Sequence, residues 1–309
     1  MNILYYHYPS SKDGQYVHIS SIVSALRSLG HDVRLVGPAL PGSVDFGHSD
    51  GIIARLKRSI PKFFYESLEL LYGLLDFFRL FVISLNHRPD FIYYRYNLYS
   101  PSAILVGRAL RIPVLIEVNS PLAEERSEFG GLKIKFLASW LETSQWRAAD
   151  HIFSVSAILQ DHIRAKGVPA DRMTVTPNAI DLERFQSLPN SHQAKASLGI
   201  EAFRVVGFVG FMREWHGLEH LLDWFATSAP CDAMLLFVGD GPARQGLEQR
   251  ARKLKIADRV MITGVVDPEA IPRHLAAFDI AVQPSAVRYA SPLKILEYMA
   301  AEKAIVAPR

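Results

Sequence analysis

Apolar residues along the chain form two alternating patterns: short continuous runs, and longer stretches in which apolar positions recur at helical spacing. The short runs predict buried strands, and in the first half they lie at residues 2–8, 31–37, 90–96, 114–118 and 151–155. Helical stretches separate them, and the first ends before Gly30, a residue suited to the position after a helix. This alternation predicts a parallel α/β domain.

The same alternation restarts after a polar segment at residues 188–198. In the second half, the runs that predict strands lie at residues 204–211, 233–238, 259–263, 279–283 and 304–307. A length of 309 residues also favours two domains, each able to bury its own core. We therefore expect two similar α/β domains, residues 1–187 and 199–309, joined by a linker at the polar segment.

The most apolar part of the chain is residues 60–85. Charged residues interrupt it and argue against a transmembrane span, among them Glu66, Glu69, Asp76 and Arg79. We expect one long buried helix of the α/β layer. The alternative is peripheral contact of residues 55–85 with an anionic membrane surface, because basic residues come just before the apolar stretch and at its start. These are Arg55, Lys57, Arg58 and Lys62.

Composition narrows the classes of function. The formal charge of +3 is small for this length, so we expect no nucleic-acid partner. Cys231 is the only cysteine, which excludes a disulfide framework and a cysteine-based metal site. A single cysteine suits a reducing compartment, and we expect the protein to be cytoplasmic.

Residues 284–301 carry the first candidate site. Ser291 is a good N-cap and Pro292 suits the first helical position, so we predict that a helix begins at Ser291. Lys294 then lies in the first turn, where a cation opposes the helix dipole unless an anion such as a phosphate binds there. Glu297 follows one turn later on the same side. The alternative is a solvated Lys–Glu pair on an exposed helix.

The carboxyl end of the strand at residues 114–118 carries a second candidate site. Glu117 and Asn119 lie where ligands bind in open α/β sheets, although buried strand ends also use such residues to satisfy backbone groups. His18 follows the first predicted loop, and we expect it to be structural or to cap the helix. That loop contains Gly14 but no GxGxxG, so binding of a dinucleotide is not supported.

Several short motifs occur in a fixed order along the chain. They are Asp13-Gly14 with the later LRSLGHDV, Ala149-Asp150 with Ile152, Val155 and Ser156, the VxPNxxDxxxF turn from Val175 to Phe185, VGDGP at residues 238–242, TGVV at residues 263–266, and SPLKILEYMAA from Ser291. Each motif alone is a weak signal. Together, and in this order, they resemble the GT-B glycosyltransferases of family 4, and the resemblance covers the whole chain.

This resemblance implies two Rossmann-like domains, with the acceptor mainly on the N-terminal half and a nucleotide-sugar on the C-terminal half. It implies transfer from a UDP- or GDP-sugar to a hydroxyl of a glycan or lipid-linked acceptor, with retention of anomeric configuration and without a metal or other cofactor. The residues assigned to catalysis are Asn119, Arg213 and Lys294. Those assigned to donor binding are Gly14, Gly210, Arg213, His216, Gly239, Val266, Ser291, Lys294 and Glu297.

The chain departs from the family pattern at some of these positions. Phe211 and His216 stand where the family usually has an arginine and a lysine, so Arg213 would supply the first cation and His216 would donate to phosphate. Tyr289 replaces the first glutamate of the family's E-x7-E motif, and backbone N–H groups after it would then contact the donor sugar. Asn119 replaces a common histidine.

Chains of this family normally continue past the strand at residues 304–307, so we expect the second domain to be truncated. One alternative is a non-catalytic sugar-nucleotide or glycan-binding protein, because the glutamate expected at Tyr289 is absent. A nucleotide-dependent oxidoreductase is disfavoured, since neither half has GxGxxG. A transferase with a lipid-linked acceptor would work at the inner face of a membrane.

Overall fold

A computed structural model describes residues 1–8, 14–37 and 62–308 of the protein. The chain divides into two compact units, one formed by Met1–Pro177 with Tyr289–Ser291 and the other by Asn178–Arg288 with Pro292–Arg309. Each unit contains one parallel sheet. The predicted α/β class with two Rossmann-like halves is therefore confirmed.

The sheet of the first unit has the strand order β2-β1-β3-β4-β5-β6. Its strands are β1 (Asn2–Tyr6), β2 (Asp32–Val36), β3 (Phe91–Arg95), β4 (Val114–Val118), β5 (His151–Ser154) and β6 (Met173–Val175). The strand order reverses between β1 and β3, and the carboxyl ends around such a reversal are where ligands bind in open parallel sheets. Both faces of the sheet are covered, which explains the continuous apolar runs in the sequence.

The helices of the first unit are α1 (Gly14–Ser28), α2 (Lys62–His87), α3 (Ser102–Leu110), α4 (Leu122–Glu125), α5 (Lys135–Ala148) and α6 (Ala157–Ala165). Local sequence explains their ends. Ser156 caps α6 by accepting a hydrogen bond from the backbone N–H of Leu159 at 3.2 Å. Arg111 ends α3 in the left-handed conformation, with φ at 57°.

The apolar stretch forms one long helix, α2, but the expectation that it is buried is wrong for half of its surface. Gly73 lies against the backbone of Tyr99, where a Cβ atom would meet the carbonyl oxygen at 1.9 Å. Asp76, on the packed face, accepts a hydrogen bond from the Tyr6 hydroxyl at 2.6 Å. The opposite face exposes many apolar side chains. The basic residues Arg55, Lys57 and Arg58 lie outside the described residues.

Hydropathy gives no transmembrane span in the described helices, since none combines the required length and apolar content. The acidic residues of α2 explain part of this result. Glu66 and Asp76 both interrupt the apolar run, yet both are buried on the packed face, where donors from the rest of the first unit satisfy them. Glu66 and Asp76 therefore point inward on the same face as Leu80, whereas the opposite face of α2 is apolar and exposed.

The sheet of the second unit has the strand order β11-β10-β7-β8-β9. Its strands are β7 (Arg204–Val209), β8 (Ala233–Val238), β9 (Val260–Ile262), β10 (Ile280–Val282) and β11 (Ala304–Val306). Its helices are α7 (Ser191–Ala196), α8 (Leu218–Ser228), α9 (Arg244–Lys253), α10 (Ile271–Ala276) and α11 (Leu293–Ala300). Here the order reverses between β7 and β10.

Residues 188–198, where we expected a linker, contain α7 instead. Asn190 begins this helix with a capping box. Lys195 then places its ammonium 2.6 Å from the carboxylate of Asp279 and 3.1 Å from the carbonyl oxygen of Phe203. This partly buried ion pair ties the segment to the second unit. The structure divides the chain earlier, between Pro177 and Asn178.

Tyr298 fixes α11 against the point where the strand order of the second sheet reverses. Its buried hydroxyl accepts a hydrogen bond from the N–H of Val209, at the end of β7, at 3.0 Å. The same hydroxyl donates to the carbonyl oxygen of Val282, at the end of β10, at 3.3 Å. One side chain of α11 therefore joins the carboxyl ends of the two central strands.

We predict that Tyr298→Phe lowers the free energy of unfolding by about 1–3 kcal/mol, because the buried N–H of Val209 loses its acceptor. Urea unfolding of the purified chain measures this loss. Tyr72→Phe is the matched control, since the ring of Tyr72 is about half exposed. An equal effect of both substitutions would contradict the bridging role of Tyr298.

Candidate functional site

Lys294 lies at the carboxyl end of β7. Gly210 follows β7 with φ at 134°, and a Cβ atom there would come within 3.1 Å of the Lys294 Nζ atom. The same Nζ atom lies 3.9 Å from the centroid of the Phe208 ring, in a cation–π contact. The predicted site residues Gly210 and Lys294 are thus brought together.

The prediction that the helix begins at Ser291 is wrong by two residues. The helix α11 begins at Leu293, and Pro292 precedes it in an extended conformation with ψ at 115° and no side-chain cap. Ser291 belongs to the short segment that groups with the first unit. Lys294 nevertheless lies in the first turn of α11, as expected.

The charges of Lys294 and Glu297 are both partly removed from water. Burial lowers the pKa of Lys294 to about 7, although the carboxylate of Glu297 opposes this shift. Burial also raises the pKa of Glu297, against the opposing charges of Arg184 and Lys294. This disfavours the alternative of a solvated surface pair. An anion bound beside Lys294 would restore its charged form.

The loop after β7 holds a second cation in a fixed position. The guanidinium of Arg213 lies 4.8 Å from the centroid of the Phe211 ring and 5.0 Å from that of Trp215. These two aromatic contacts restrict Arg213, a role for Phe211 and Trp215 that sequence reasoning missed. The clue was the aromatic residue on either side of the arginine.

His216 lies in the same loop as a neutral imidazole. Burial, together with the nearby charges of Lys294 and Arg213, lowers its pKa to about 3. Its Nδ1 atom accepts a hydrogen bond from the backbone N–H of Arg213 at 3.3 Å. The ring proton is therefore on Nε2, which is the donor that His216 can offer to a ligand. Gly217 follows with φ at 67°, packed against Ser285.

Gly239 and Val266 have roles in packing. A Cβ atom on Gly239 would meet the carbonyl oxygen of Gly210 at 2.3 Å, so this glycine lets the loops after β7 and β8 approach each other. Its N–H donates to the hydroxyl of Thr263 at 3.1 Å. Val266 packs against the core of the second unit. Their contacts with a donor stay predictions, as does that of Gly14, the first residue of α1.

The polar cluster of the first unit centres on Glu117, a buried residue of β4. Its Oε1 atom accepts hydrogen bonds from Arg95 at 2.6 Å, from His18 at 2.8 Å and from Asn119 at 2.6 Å. Its Oε2 atom accepts one from the Tyr93 hydroxyl at 3.2 Å. Arg95 is the residue paired with Glu117 across β3 and β4. Sequence reasoning named Glu117 and Asn119 but missed their pairing with Arg95 and His18.

These contacts keep Glu117 ionised. Burial alone would raise its pKa, but the hydrogen bond from His18 and the charge of Arg95 outweigh it, and the pKa is lowered to about 2. Because an ionised carboxylate only accepts hydrogen bonds, the amide of Asn119 is fixed with its nitrogen toward Glu117. The oxygen of the Asn119 amide is consequently turned away from the carboxylate. The His18 Nε2 atom likewise carries a proton.

Tyr289, at the position where the family has a glutamate, belongs to the first unit. Its hydroxyl donates to the carboxylate of Glu125 at 3.0 Å. Its carbonyl oxygen accepts a hydrogen bond from Ser156 at 2.8 Å, the same residue that caps α6. Tyr289 is therefore an anchor between its own segment and the helices α4 and α6.

Comparison with known proteins places both halves of the chain in related families. Residues 12–184 match the family model described as Glycosyltransferase Family 4. Residues 203–309 match the model described as Glycosyl transferases group 1. The polar segment at residues 188–198 lies between the two matched regions.

Two curated relatives illustrate the similarity. The chain is 30% identical over 192 residues to the 2-deoxystreptamine N-acetyl-D-glucosaminyltransferase of Streptomyces fradiae. The matched region covers 59% of this chain and 45% of that relative. The chain is also 26% identical over 275 residues to the lipopolysaccharide core biosynthesis mannosyltransferase LpsB of Rhizobium meliloti. That matched region covers 86% of this chain and 65% of the relative. The matched regions span less than two thirds of these relatives.

Among solved structures, the Anabaena protein HepE in complex with UDP-glucose is similar with a TM-score of 0.75. The match covers 99% of this chain and 79% of that chain, at 19% sequence identity. At this identity the similarity establishes the fold. It agrees with the GT-B architecture that the two parallel sheets indicate.

We predict that Glu117→Gln destabilises the protein most near neutral pH, by about 3 kcal/mol, because the folded pKa lies well below the ordinary value of 4.5. The lowered pKa contributes stability above pH 4.5, and this contribution is lost as the pH falls toward 2. The difference from wild type in urea unfolding should therefore shrink as the pH falls. A difference independent of pH would contradict the ion-pair network.

Glu142→Gln is the matched control, because its effect on stability should change with pH in the opposite direction to that of Glu117→Gln. Burial raises the pKa of Glu142 to about 7, against hydrogen bonds from Ala123 and Tyr96. Its stabilisation is present at low pH and is lost as the pH rises from 4.5 through 7. The glutamine variant should therefore lose less stability at pH 8 than at pH 5, relative to wild type.

Proposed function

Because the chain belongs to glycosyltransferase family 4, we propose that it transfers a sugar from a nucleotide-sugar to a hydroxyl group of an acceptor. The donor is a UDP- or GDP-sugar, the acceptor is a glycan or a lipid-linked molecule, and anomeric configuration is retained. The observation that carries the proposal is the partly buried Lys294 at the end of β7, a cation whose charge is stabilised by an anion. UDP-glucose bound to the HepE fold makes UDP-sugars the first donors to test.

The diphosphate of the donor binds at Arg213, His216 and Lys294. All three belong to the second unit. The Lys294 Nζ atom and the centroid of the His216 ring lie 3.9 and 5.2 Å from the centroid of the Phe208 ring, and His216 accepts a hydrogen bond from the backbone N–H of Arg213. Two cations and the Nε2–H of His216 stabilise the negative charge that develops on the departing diphosphate. The aromatic contacts of Arg213 hold it ready for this role.

The remaining assignments follow the family resemblance. Glu297 binds the ribose hydroxyls of the donor, and backbone N–H groups near Ser291 contact its sugar. Asn119 contributes to catalysis from the first unit, with its amide orientation fixed by Glu117. No metal takes part. The cytoplasm, or the inner face of a membrane when the acceptor is lipid-linked, is the proposed location.

The test is a thermal-shift panel of UDP-, GDP- and ADP-sugars on wild type, Lys294→Ala and the control Lys253→Ala. Lys253 is an exposed lysine of α9 in the same unit. A donor at about a hundred times its dissociation constant stabilises the folded state by about 2.7 kcal/mol. Lys294→Ala should weaken donor binding at least about tenfold, because a charge-assisted hydrogen bond is lost. Lys253→Ala should bind as wild type does.

The outcomes separate the proposals. A shift with one nucleotide class that Lys294→Ala abolishes supports the donor site and identifies the base. Equal shifts in Lys294→Ala and wild type would refute the role of Lys294. A folded wild type that no nucleotide-sugar stabilises would refute donor binding by this chain. Donor binding without transfer to any glycan or lipid-linked acceptor would favour the alternative of a non-catalytic sugar-nucleotide-binding protein.

A further inference from the structure

The outer face of α2 is an apolar surface on a 26-residue helix. We define this face by its exposed apolar side chains, which are Phe63, Phe64, Leu68, Leu71, Tyr72, Leu74, Leu75, Phe78, Val82 and Leu85. Phe78, near the middle of the row, is 67% exposed. Monomeric soluble proteins rarely leave a continuous apolar area of this extent in water, and such areas mark interaction surfaces.

The charge distribution of α2 leaves this face without exposed acids. Glu66 is buried and accepts hydrogen bonds from the backbone N–H groups of Lys133 and Ile134 at 2.7 and 2.9 Å. Asp76 is buried against Tyr6, as described above. Among the described side chains of α2, Arg79 is the one exposed charge. Its guanidinium lies 3.5 Å from the carboxylate of Asp76. The face is thus apolar, with one charged side chain that is already paired.

The start of α5 lies next to α2 and carries further exposed apolar side chains. Glu66 fixes the backbone at Lys133 and Ile134 next to α2, and the first turns of α5 follow directly. Phe136 is 85% exposed and Trp140, one turn later, is 56% exposed. Exposed aromatic side chains of this kind sit at the headgroup level of membranes.

Positive charge accompanies these aromatic residues. Lys133 and Lys135 are exposed on either side of Ile134, while Glu128 is the exposed acid of the segment that leads to them. With Arg79 on α2, the described exposed charges near the apolar surface are mainly positive. An anionic lipid surface complements this distribution, because each basic side chain near it adds to the attraction.

We propose that the outer face of α2, together with Phe136 and Trp140, binds the surface of a bilayer that contains anionic phospholipid. The helix lies in the plane of the interface, with its apolar side chains among the acyl chains and Lys133 and Lys135 at the headgroups. The proposal does not depend on the transferase activity. If both hold, the bound state brings a lipid-linked acceptor within reach of the enzyme.

A second copy of the chain is the competing occupant. Residues 64, 68, 71, 75, 78, 82 and 85 are spaced alternately four and three apart, as in a coiled-coil seam. A seam of two helices is narrow and flanked by charged residues that select the partner. Here the flanks are Phe63, Tyr72 and Leu74, which are apolar. Arg79 is the one charged residue beside the seam among the described side chains of α2. The wide and mostly apolar arc therefore favours lipid.

The experiment is vesicle flotation of the full chain with phosphatidylcholine vesicles, with and without phosphatidylglycerol. The test variant is Leu71→Gln/Leu75→Gln/Phe78→Gln. The matched control, Ile158→Gln/Leu182→Gln/Trp224→Gln, removes three exposed apolar side chains elsewhere. Wild type and control should float with anionic vesicles, whereas the partition of the test variant should fall at least roughly tenfold. Equal thermal midpoints confirm that all three proteins are folded.

A second variant tests the charges. Lys133→Gln/Lys135→Gln should weaken binding to anionic vesicles and leave binding to neutral vesicles unchanged. Failure of wild type to bind anionic vesicles would overturn the proposal, as would equal loss of binding in the test and control triples. The face would be assigned to a second copy instead if two results came together. Wild type would be a dimer in light scattering that Leu71→Gln/Leu75→Gln/Phe78→Gln dissociates, and wild type would not bind vesicles. None of these readouts requires donor binding or transfer.

Discussion

The bridge made by the Tyr298 hydroxyl is the contact on which the second unit's site depends. It holds the carboxyl ends of β7 and β10 together and fixes α11 against them. Lys294 and Glu297 lie on that helix, so their positions relative to the end of β7 follow from the bridge. A parallel sheet offers its ligand site where strand order reverses, and here one buried hydroxyl defines the geometry of that point.

Two buried or partly buried charges, Glu117 and Lys294, show how the environment decides the direction of a pKa shift. Glu117 has a guanidinium, an imidazole and an amide around one oxygen, and its pKa falls because these partners outweigh burial. Lys294 has an aromatic ring and a glycine nearby, with Glu297 as the opposing charge, and its pKa falls because burial outweighs that charge. Glu117 already has its partners, whereas a bound anion would be needed to restore the charged form of Lys294.

The helix α2 buries acidic side chains and exposes apolar ones. Glu66 and Asp76 face the protein, where the backbone N–H groups before α5 and the Tyr6 hydroxyl satisfy them. Leu80 is buried on the same packed face, but the opposite face exposes a row of apolar side chains. Burial of satisfied carboxylates is compatible with a stable fold, and it leaves an exposed surface that a search for apolar stretches would assign to the core.

Strand runs, helical spacing and ordered motifs are local features, so the amino-acid sequence is enough to predict the α/β class, the two halves and the family. The same motifs identify Lys294, Arg213, His216 and Asn119 as candidates. The surroundings of these residues became visible in the folded chain: the rings that hold Arg213, the tautomer of His216, and the network that orients Asn119. Only the tertiary structure showed which face of α2 is exposed and that residues 191–196 belong to the second core. These features depend on contacts between residues far apart in sequence, which periodicity and composition do not encode.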